Sequence, residues 1–205
     1  MEEPHIRSHL HYLDPHVHFE GSLPLVELPT YSRQAEIPLD QETNFGLGRT
    51  ISAPSAAALQ GRPQNFPDFI ALYVKCSSLL RHQENMLAAI TNFINSNLSQ
   101  GITEAHVYFS LQTHLLLGAD LGQLADNLRL AQHLASARGL HLAWIFDLVR
   151  GVSAFEKETV DFALNSSRQN INALALGLAG DESRGYAEHY GEIFKQAKKA
   201  GLQSI

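Results

Sequence analysis

Two nearly continuous apolar segments, Leu140–Val149 and Ile171–Leu178, constrain the fold of this chain more than any other feature of its sequence. Apolar runs of this length predict strands that are covered on both faces, which is the arrangement found in parallel sheets. Each run is followed by a segment that is predicted to be helical, Ala154–Ser166 after the first and Ala187–Ala200 after the second. Strands that alternate with helices in this way predict βα units built on a parallel sheet.

The same alternation extends over most of the chain. Further strands are predicted at Asp14–Gly21 and Ile102–Ser110, and Leu202–Ile205 has the pattern of an opening fifth strand. The segment Ile37–Pro63 is rich in Pro, Gly, Ser, Ala and Asn and is predicted to be a long loop. The remaining predicted helices are Pro24–Ala35 with a kink at Pro29, Ile70–Leu80, Glu84–Gln100 and Leu121–Arg138.

The number of these units defines the expected fold class. Four βα units and the start of a fifth strand make up half of a closed (β/α)8 barrel, which takes about 250 residues or more. We therefore expect a parallel α/β fold, the N-terminal half of a TIM barrel, over residues 14–205, truncated at the start of the fifth strand, after a short lead-in over residues 1–13. Because such a sheet has two unpaired edges, self-association or poor solubility of the isolated chain is expected.

Composition excludes several classes of function. A formal net charge of -6 gives no electrostatic reason to expect a nucleic-acid partner. No stretch approaches the ~20 apolar residues of a membrane span and no apolar run resembles a signal peptide, so we expect a cytoplasmic protein without membrane contact. The single cysteine, Cys76, rules out an internal disulfide and is predicted to lie in the core.

A His-x-His motif in the first predicted strand is the candidate metal site. Side chains alternate along a strand, so His16 and His18 point to one face, about 7 Å apart, while Val17 and Phe19 point to the other. Two imidazoles on one face can chelate Zn²⁺, and the binding groups of parallel α/β folds lie at the C-terminal ends of strands. The alternative is that these are two surface histidines among the 11 of the chain.

A third metal ligand is not evident from the sequence. A catalytic zinc site needs three protein ligands and an open position for water. His106 in the second predicted strand and His114 in a predicted loop are interpreted as hydrogen-bonded or solvated histidines. Asp181 and Glu182 have side chains that bind metals, but a carboxylate pair after a glycine is equally typical of a helix N-terminus.

Four stretches of the sequence are informative as a set. They are HVHFEGSL at residues 16–23, AEIPL at 35–39, NFPDF at 65–69 and GLAGDE at 177–182. In this order and spacing, residues 14–205 resemble the N-terminal half of the adenosine deaminase family, which are zinc (β/α)8 barrels of the amidohydrolase superfamily. The resemblance implies that His16 and His18 are zinc ligands, with His18 also close to the substrate. It further implies that Glu20 faces the sugar of a purine nucleoside and that the backbone of Gly180 meets the base.

The reaction that the resemblance implies is hydrolytic deamination, in which zinc activates a water that attacks C6 of a purine. The family's acid–base glutamate, third zinc histidine, later histidine and aspartate would all lie beyond Ile205, so no catalytic acid–base residue is identified in this chain. The resemblance also places Phe66 and Phe69 in a helical flap over the pocket; the alternative is that they belong to the helix core.

Three functions stay open at this point. The first is deamination of adenosine or deoxyadenosine by the full-length protein, with this chain alone inactive; its partners are a small purine nucleoside and the C-terminal half of the barrel. The second is deamination of adenine or another 6-aminopurine, since Glu20 stands where adenosine deaminases more often carry Asp, whereas AGDE at residues 179–182 resembles the adenosine branch. The third is a non-catalytic half-barrel that acts as a binding or assembly module.

Overall fold

The structure is a computed structural model that describes residues 11–46, 48–184 and 187–205. Residues 1–10 of the predicted lead-in lie outside the described residues. The strands are β1 (Tyr12–His18), β2 (Thr43–Gly46), β3 (Arg49–Ile51), β4 (Ile102–Phe109), β5 (His141–Val149), β6 (Ala173–Ala179) and β7 (Gln203–Ser204). Five of them form one parallel sheet in the order β1-β4-β5-β6-β7, and β2 pairs with β3 in an antiparallel hairpin.

Helices follow the strands of the large sheet, as the alternation predicts. They are α1 (Leu28–Ala35), α2 (Phe66–Leu79), α3 (Gln83–Ser99), α4 (Leu111–Leu116), α5 (Leu121–Ser136), α6 (Glu156–Asn165) and α7 (Gly191–Lys199). The two longest, α3 and α5, are followed by Gly101 and Gly139, whose φ angles of 78° and 83° are in the left-handed region that glycine adopts at helix ends. No helix among the described residues is both long enough and apolar enough to cross a membrane.

The large sheet separates two apolar regions. One face packs against the helices and forms the main core, to which β5 contributes Trp144, Phe146 and Leu148. The opposite face carries a smaller cluster of Tyr108, Ile145 and Ala175. Residues 142–148 are all buried, which confirms the prediction that β5 is covered on both faces.

The predicted kink at Pro29 is wrong. Residues Leu25–Glu27 form a 3-10 helix and α1 begins only at Leu28, so Pro29 lies in its first turn. The N–H groups of a first turn have no acceptor inside the helix, and the N–H that proline lacks is therefore not missed there.

The predicted long loop is wrong in part, because Ile37–Pro63 contains the β2–β3 hairpin and a 3-10 helix, Ala58–Gln60. The hairpin is anchored by Phe45, which is buried in a second apolar cluster with Val74 and Leu116. Strands of four and three residues are too short to show alternation in the sequence.

Two helix boundaries differ from the prediction for identifiable reasons. Helix α2 begins at Phe66, four residues before the predicted start at Ile70, because Asn65 caps it: the Asn65 side chain accepts a hydrogen bond of 2.9 Å from the backbone N–H of Asp68. Helix α4 lies where a loop is predicted, and its six residues are too few for a helical period to be recognised.

Candidate active site

The two histidines of β1 converge at the C-terminal end of the strand. Their Nε2 atoms lie 3.3 Å apart and their ring centroids 5.3 Å apart. Two nitrogens bound to one tetrahedral zinc ion at 2.0–2.1 Å are separated by about 3.3–3.4 Å, so His16 and His18 are already spaced as a metal-binding pair. Val17 and Phe19 pack into the main core on the opposite side, which confirms the predicted alternation.

The pair is held by its neighbour on β4. Tyr108 is the register partner of His18, and its ring stacks on His16 at 4.2 Å between centroids and lies 4.8 Å from that of His18. Between Asp14 and Val17 the register shifts by one residue, which forms an irregularity that includes His16. The Asp14 carboxylate accepts a hydrogen bond from the backbone N–H of His16 (3.1 Å) and stabilises this turn of the strand.

The two histidines differ in environment. His16 is exposed, whereas the side chain of His18 is 36% exposed and its Nδ1 atom is buried. Burial lowers the pKa of His18, and the neighbouring His16 lowers it further although Glu20 opposes the change. The neutral imidazole that results is the form that binds metal ions.

A buried carboxylate lies behind His18. Asp147, near the C-terminal end of β5, is 1% exposed, and its Oδ2 atom is 4.0 Å from Nδ1 of His18. Neither oxygen of Asp147 has a hydrogen-bond partner among the described residues. Burial, reinforced by the charge of Glu20, raises the pKa of Asp147 well above its ordinary value.

Glu20 lies inside the protein rather than at its surface. Both of its oxygens accept hydrogen bonds: Oε1 from the backbone N–H of Ser110 (2.8 Å) and from Nε2 of His114 (3.0 Å), and Oε2 from the hydroxyl of Tyr73 (2.9 Å). Glu20 and His114 are fully buried. Burial alone would raise the pKa of Glu20, but the contacts with His114 and Ser110 outweigh it, so this pKa is lowered.

Three aromatic rings of α2 line up towards the site. Phe66 stacks on Phe69 with 6.2 Å between centroids, Phe69 lies 6.1 Å from Tyr73, and Tyr73 points its edge at His18. The outer two rings are 49% and 43% exposed, so the interpretation of Phe66 and Phe69 as helix core is wrong. Their exposed faces are available to cover a ligand at the histidine pair.

The end of β6 supplies the remaining predicted residues. Gly180 directly follows the strand with a φ of 98°, a conformation that favours glycine. Asp181 accepts hydrogen bonds from the backbone N–H (3.0 Å) and the hydroxyl (2.7 Å) of Ser183 at the start of the 3-10 helix Glu182–Arg184. Asp181 is therefore a helix-capping residue, one of the two alternatives considered for it.

Sequence reasoning assigned no part in the site to the half-buried Tyr73 or to the buried His114 and Asp147. His114 is hydrogen-bonded, as interpreted, but it lies in helix α4 rather than in a loop. An aspartate inside the apolar run of β5 is the one signal that the sequence offered, since an isolated carboxylate in a buried strand calls for a partner or a function.

The described residues contain no group of three or more His, Cys, Asp or Glu side chains arranged to hold a metal ion. His16 and His18 are two possible donors, one fewer than the three protein ligands that a catalytic zinc takes. Two imidazole nitrogens with a spacing of 3.3 Å between their Nε2 atoms fit such an ion. The other ring nitrogen of His18, Nδ1, is buried and has no hydrogen-bond partner among the described residues.

Comparison with known proteins identifies relatives of this chain. Curated relatives include adenine deaminases from Hahella chejuensis and Cupriavidus metallidurans, each 24% identical over 93% of this chain and over 54% and 51% of the relative. The chain thus spans about half the length of the curated relatives it matches.

Solved structures share the fold. An adenine deaminase from Arthrobacter aurescens superposes with a TM-score of 0.71 at 18% identity, over 94% of this chain and 56% of that chain. The N6-methyl-AMP deaminase from Arabidopsis thaliana gives 0.70 at 12% identity over 97% and 57%. An amidohydrolase from Burkholderia ambifaria with bound Zn gives 0.69 at 10% identity over 95% and 51%.

These likenesses confirm the expected fold class, the N-terminal half of a parallel (β/α)8 barrel. The family model described as adenosine deaminase matches residues 12–205, which is nearly the whole sequence. The chain therefore belongs to the adenosine deaminase family.

Proposed function

We propose that this chain is the zinc-binding part of an enzyme that hydrolytically deaminates a purine at C6, with adenosine or deoxyadenosine as the substrate. The observation that carries the proposal is the 3.3 Å approach of the His16 and His18 Nε2 atoms at a strand end in a chain of this family. A bound zinc ion lowers the pKa of a coordinated water towards neutrality, which supplies a nucleophile at neutral pH.

The residues of this chain take separate parts in the proposed site. His16 and His18 hold the metal, and Tyr108 fixes their rings by stacking. Gly180 presents backbone to the purine base at the same strand-end edge. Phe69 belongs to the exposed aromatic face of α2 that excludes water when substrate is bound.

Contact between Glu20 and the sugar of the substrate needs a rearrangement. Both carboxylate oxygens accept hydrogen bonds from the protein, and among the described residues the hydroxyl of Tyr73 is the one donor to Oε2. We therefore propose that a sugar hydroxyl displaces the Tyr73 hydroxyl from Oε2 when a nucleoside binds, which leaves the hydrogen bonds at Oε1 intact.

The catalytic unit requires residues besides those described. The described part of the chain has no group of three possible metal ligands. Exposed apolar side chains lie at both outer edges of its sheet: Tyr12 and Leu13 on β1, and Ile205 directly after β7. We propose that the C-terminal half of the barrel pairs with these edges, covers the apolar side chains and supplies the remaining ligand and the acid–base group.

A second candidate substrate is adenine. Three of the curated relatives carry the name adenine deaminase, and Glu20 is one methylene longer than the Asp more frequent in adenosine deaminases. A 6-aminopurine base and its nucleoside share the reacting C6 amino group, so the two candidates differ in the sugar contact and not in the reaction.

The test is a substrate panel on the longest polypeptide that the gene encodes, with zinc added. Ammonia release is measured with adenosine, deoxyadenosine, adenine and N6-methyl-AMP, and we expect adenosine or deoxyadenosine to react fastest. His16→Ala and His18→Ala should abolish turnover, whereas His106→Ala, a matched control on β4, should not. Fastest turnover of adenine would favour the second candidate, and no turnover of any purine by folded, zinc-loaded protein would leave only the non-catalytic module.

A further inference from the structure

Two buried polar groups next to the histidine pair face each other without a hydrogen bond. Nδ1 of His18 and both oxygens of Asp147 have no partner among the described residues. The nearest approach between them is 4.0 Å, about one ångström longer than a hydrogen bond. Leaving such groups unpaired inside a protein is unfavourable, so an unpaired donor and acceptor that face each other call for an explanation.

The position of Asp147 depends on a neighbouring glycine. Gly177 is its register partner on β6, and a Cβ atom placed on Gly177 would lie only 2.3 Å from Oδ1 of Asp147. The φ of Gly177 is not in the left-handed region, so close approach of the carboxylate, and not backbone conformation, is what requires glycine here. The sheet thus has a space shaped for this carboxylate on the same face as the histidines.

We propose that Asp147 is a positioning residue for His18, an inference that rests on the proposed metal site. Its carboxylate accepts a hydrogen bond from Nδ1–H of His18 once the side chains close the 4.0 Å gap. With the proton held on Nδ1, the lone pair of His18 is on Nε2. It then points towards the candidate metal position between the Nε2 atoms of His18 and His16, which lie 3.3 Å apart. Metal-binding histidines almost always donate their second ring N–H to a carboxylate, a carbonyl or water, and losing that partner weakens metal binding.

Other neighbours of His18 do not offer this contact. His16 approaches its Nε2 atom, Tyr108 lies against the ring face, and Tyr73 points its edge at the ring. Glu20 is engaged with Tyr73, Ser110 and His114. Among the described residues, Asp147 is the carboxylate placed to accept from Nδ1 of His18.

The test measures zinc affinity and the His18 tautomer in the native protein and in Asp147→Ala and Asp147→Asn. Zinc affinity is obtained by competition with a chromophoric chelator, and the tautomer by long-range ¹H–¹⁵N correlation of the imidazole in the metal-free protein. We expect Nδ1–H in the native protein. Asp147→Ala should weaken zinc binding by about 10–100-fold, and Asp147→Asn, which keeps an acceptor oxygen, should recover most of the loss.

The control is Asn97→Ala, which removes a buried side chain on α3 whose hydrogen bond within the described part of the chain goes to the backbone of Phe93 (2.9 Å). Equal affinity in native protein and Asp147→Ala, or an equal loss in Asp147→Ala and Asn97→Ala, would overturn the positioning role. If the native protein binds no zinc, the proposed metal site fails. The His18 tautomer then decides the positioning role of Asp147 by itself, and a proton on Nε2 of His18 overturns that role. The tautomer of the native protein decides it also if Asp147→Ala does not fold.

Discussion

Replacing His114 by Leu tests the buried network that holds the turn after the histidine pair. Leu keeps an apolar side chain against Phe109, which stacks on the imidazole with 4.7 Å between centroids. It removes the contact of 3.0 Å to Oε1 of Glu20 and leaves that fully buried carboxylate with one donor fewer. Removing one hydrogen-bond donor from a buried carboxylate costs about 3 kcal/mol, a large share of the ~5–15 kcal/mol by which a domain is stable.

The assay is urea unfolding followed by the fluorescence of Trp144, the only tryptophan of the chain, which is 1% exposed in the core. With a slope of about 2–3 kcal/mol per molar urea, the unfolding midpoint of His114→Leu should fall by about 1–1.5 M. The matched control is His106→Leu: that side chain is 24% exposed and lies 3.4 Å from the exposed Glu104, so its loss should cost at most about 1 kcal/mol.

The double variant Glu20→Gln/His114→Leu makes the test sharper. Glu20→Gln removes the buried charge that His114→Leu leaves with one hydrogen-bond donor fewer, so the two losses of unfolding free energy should not add. The reasoning is refuted if His114→Leu shifts the midpoint no further than His106→Leu, or if the two losses add within experimental error.

Three other predictions concern different parts of the fold. Gly177→Ala should lower the free energy of unfolding by about 1–3 kcal/mol in thermal or urea unfolding, because the added Cβ meets Oδ1 of Asp147; an unchanged midpoint would contradict the close approach. Asp68→Asn should speed hydrogen exchange and proteolysis in the loop before α2, because its carboxylate accepts bonds from Ser55. Those bonds lower the pKa of Asp68. In the native protein the loop should therefore stay protected from hydrogen exchange in mild acid and lose this protection as the pH falls through the lowered pKa. Equal exchange of the loop in the native protein and in Asp68→Asn would count against this. Burial raises the pKa of Cys76 to about 12, so alkylation at pH 8 should be slow in the folded protein and fast in urea, and equal rates would show that the thiol is not buried.

The sequence by itself determined the parts of this protein that follow from local patterns. Nearly continuous apolar runs identified β5 and β6 as strands, of which β5 is covered on both faces, and the alternation of strands and helices identified the parallel sheet. Side-chain alternation placed His16 and His18 on one face. The resemblance over residues 14–205 identified the family, which the match over residues 12–205 confirms.

Short or irregular elements could not be predicted from such local patterns. The β2–β3 hairpin and α4 are held by contacts with distant residues, since Phe45 is buried against Val74 of α2 and Leu116 of α4. Segments of three to six residues contain too few positions for a period to emerge, and their conformation is selected by the surface onto which they pack.

Only the tertiary structure decided which side chains surround the histidine pair. Glu20 and His114 are 94 residues apart in the chain and become partners because α4 follows β4 directly beside the end of β1. Asp147 on β5 lies near His18 on β1, on the far side of β4, because the registers of these strands align their C-terminal ends. Gly177 on β6 has no side chain to clash with the carboxylate. Periodicity is a local property of a sequence, whereas a contact across a sheet depends on strand order and register, which arise from the packing of the whole chain.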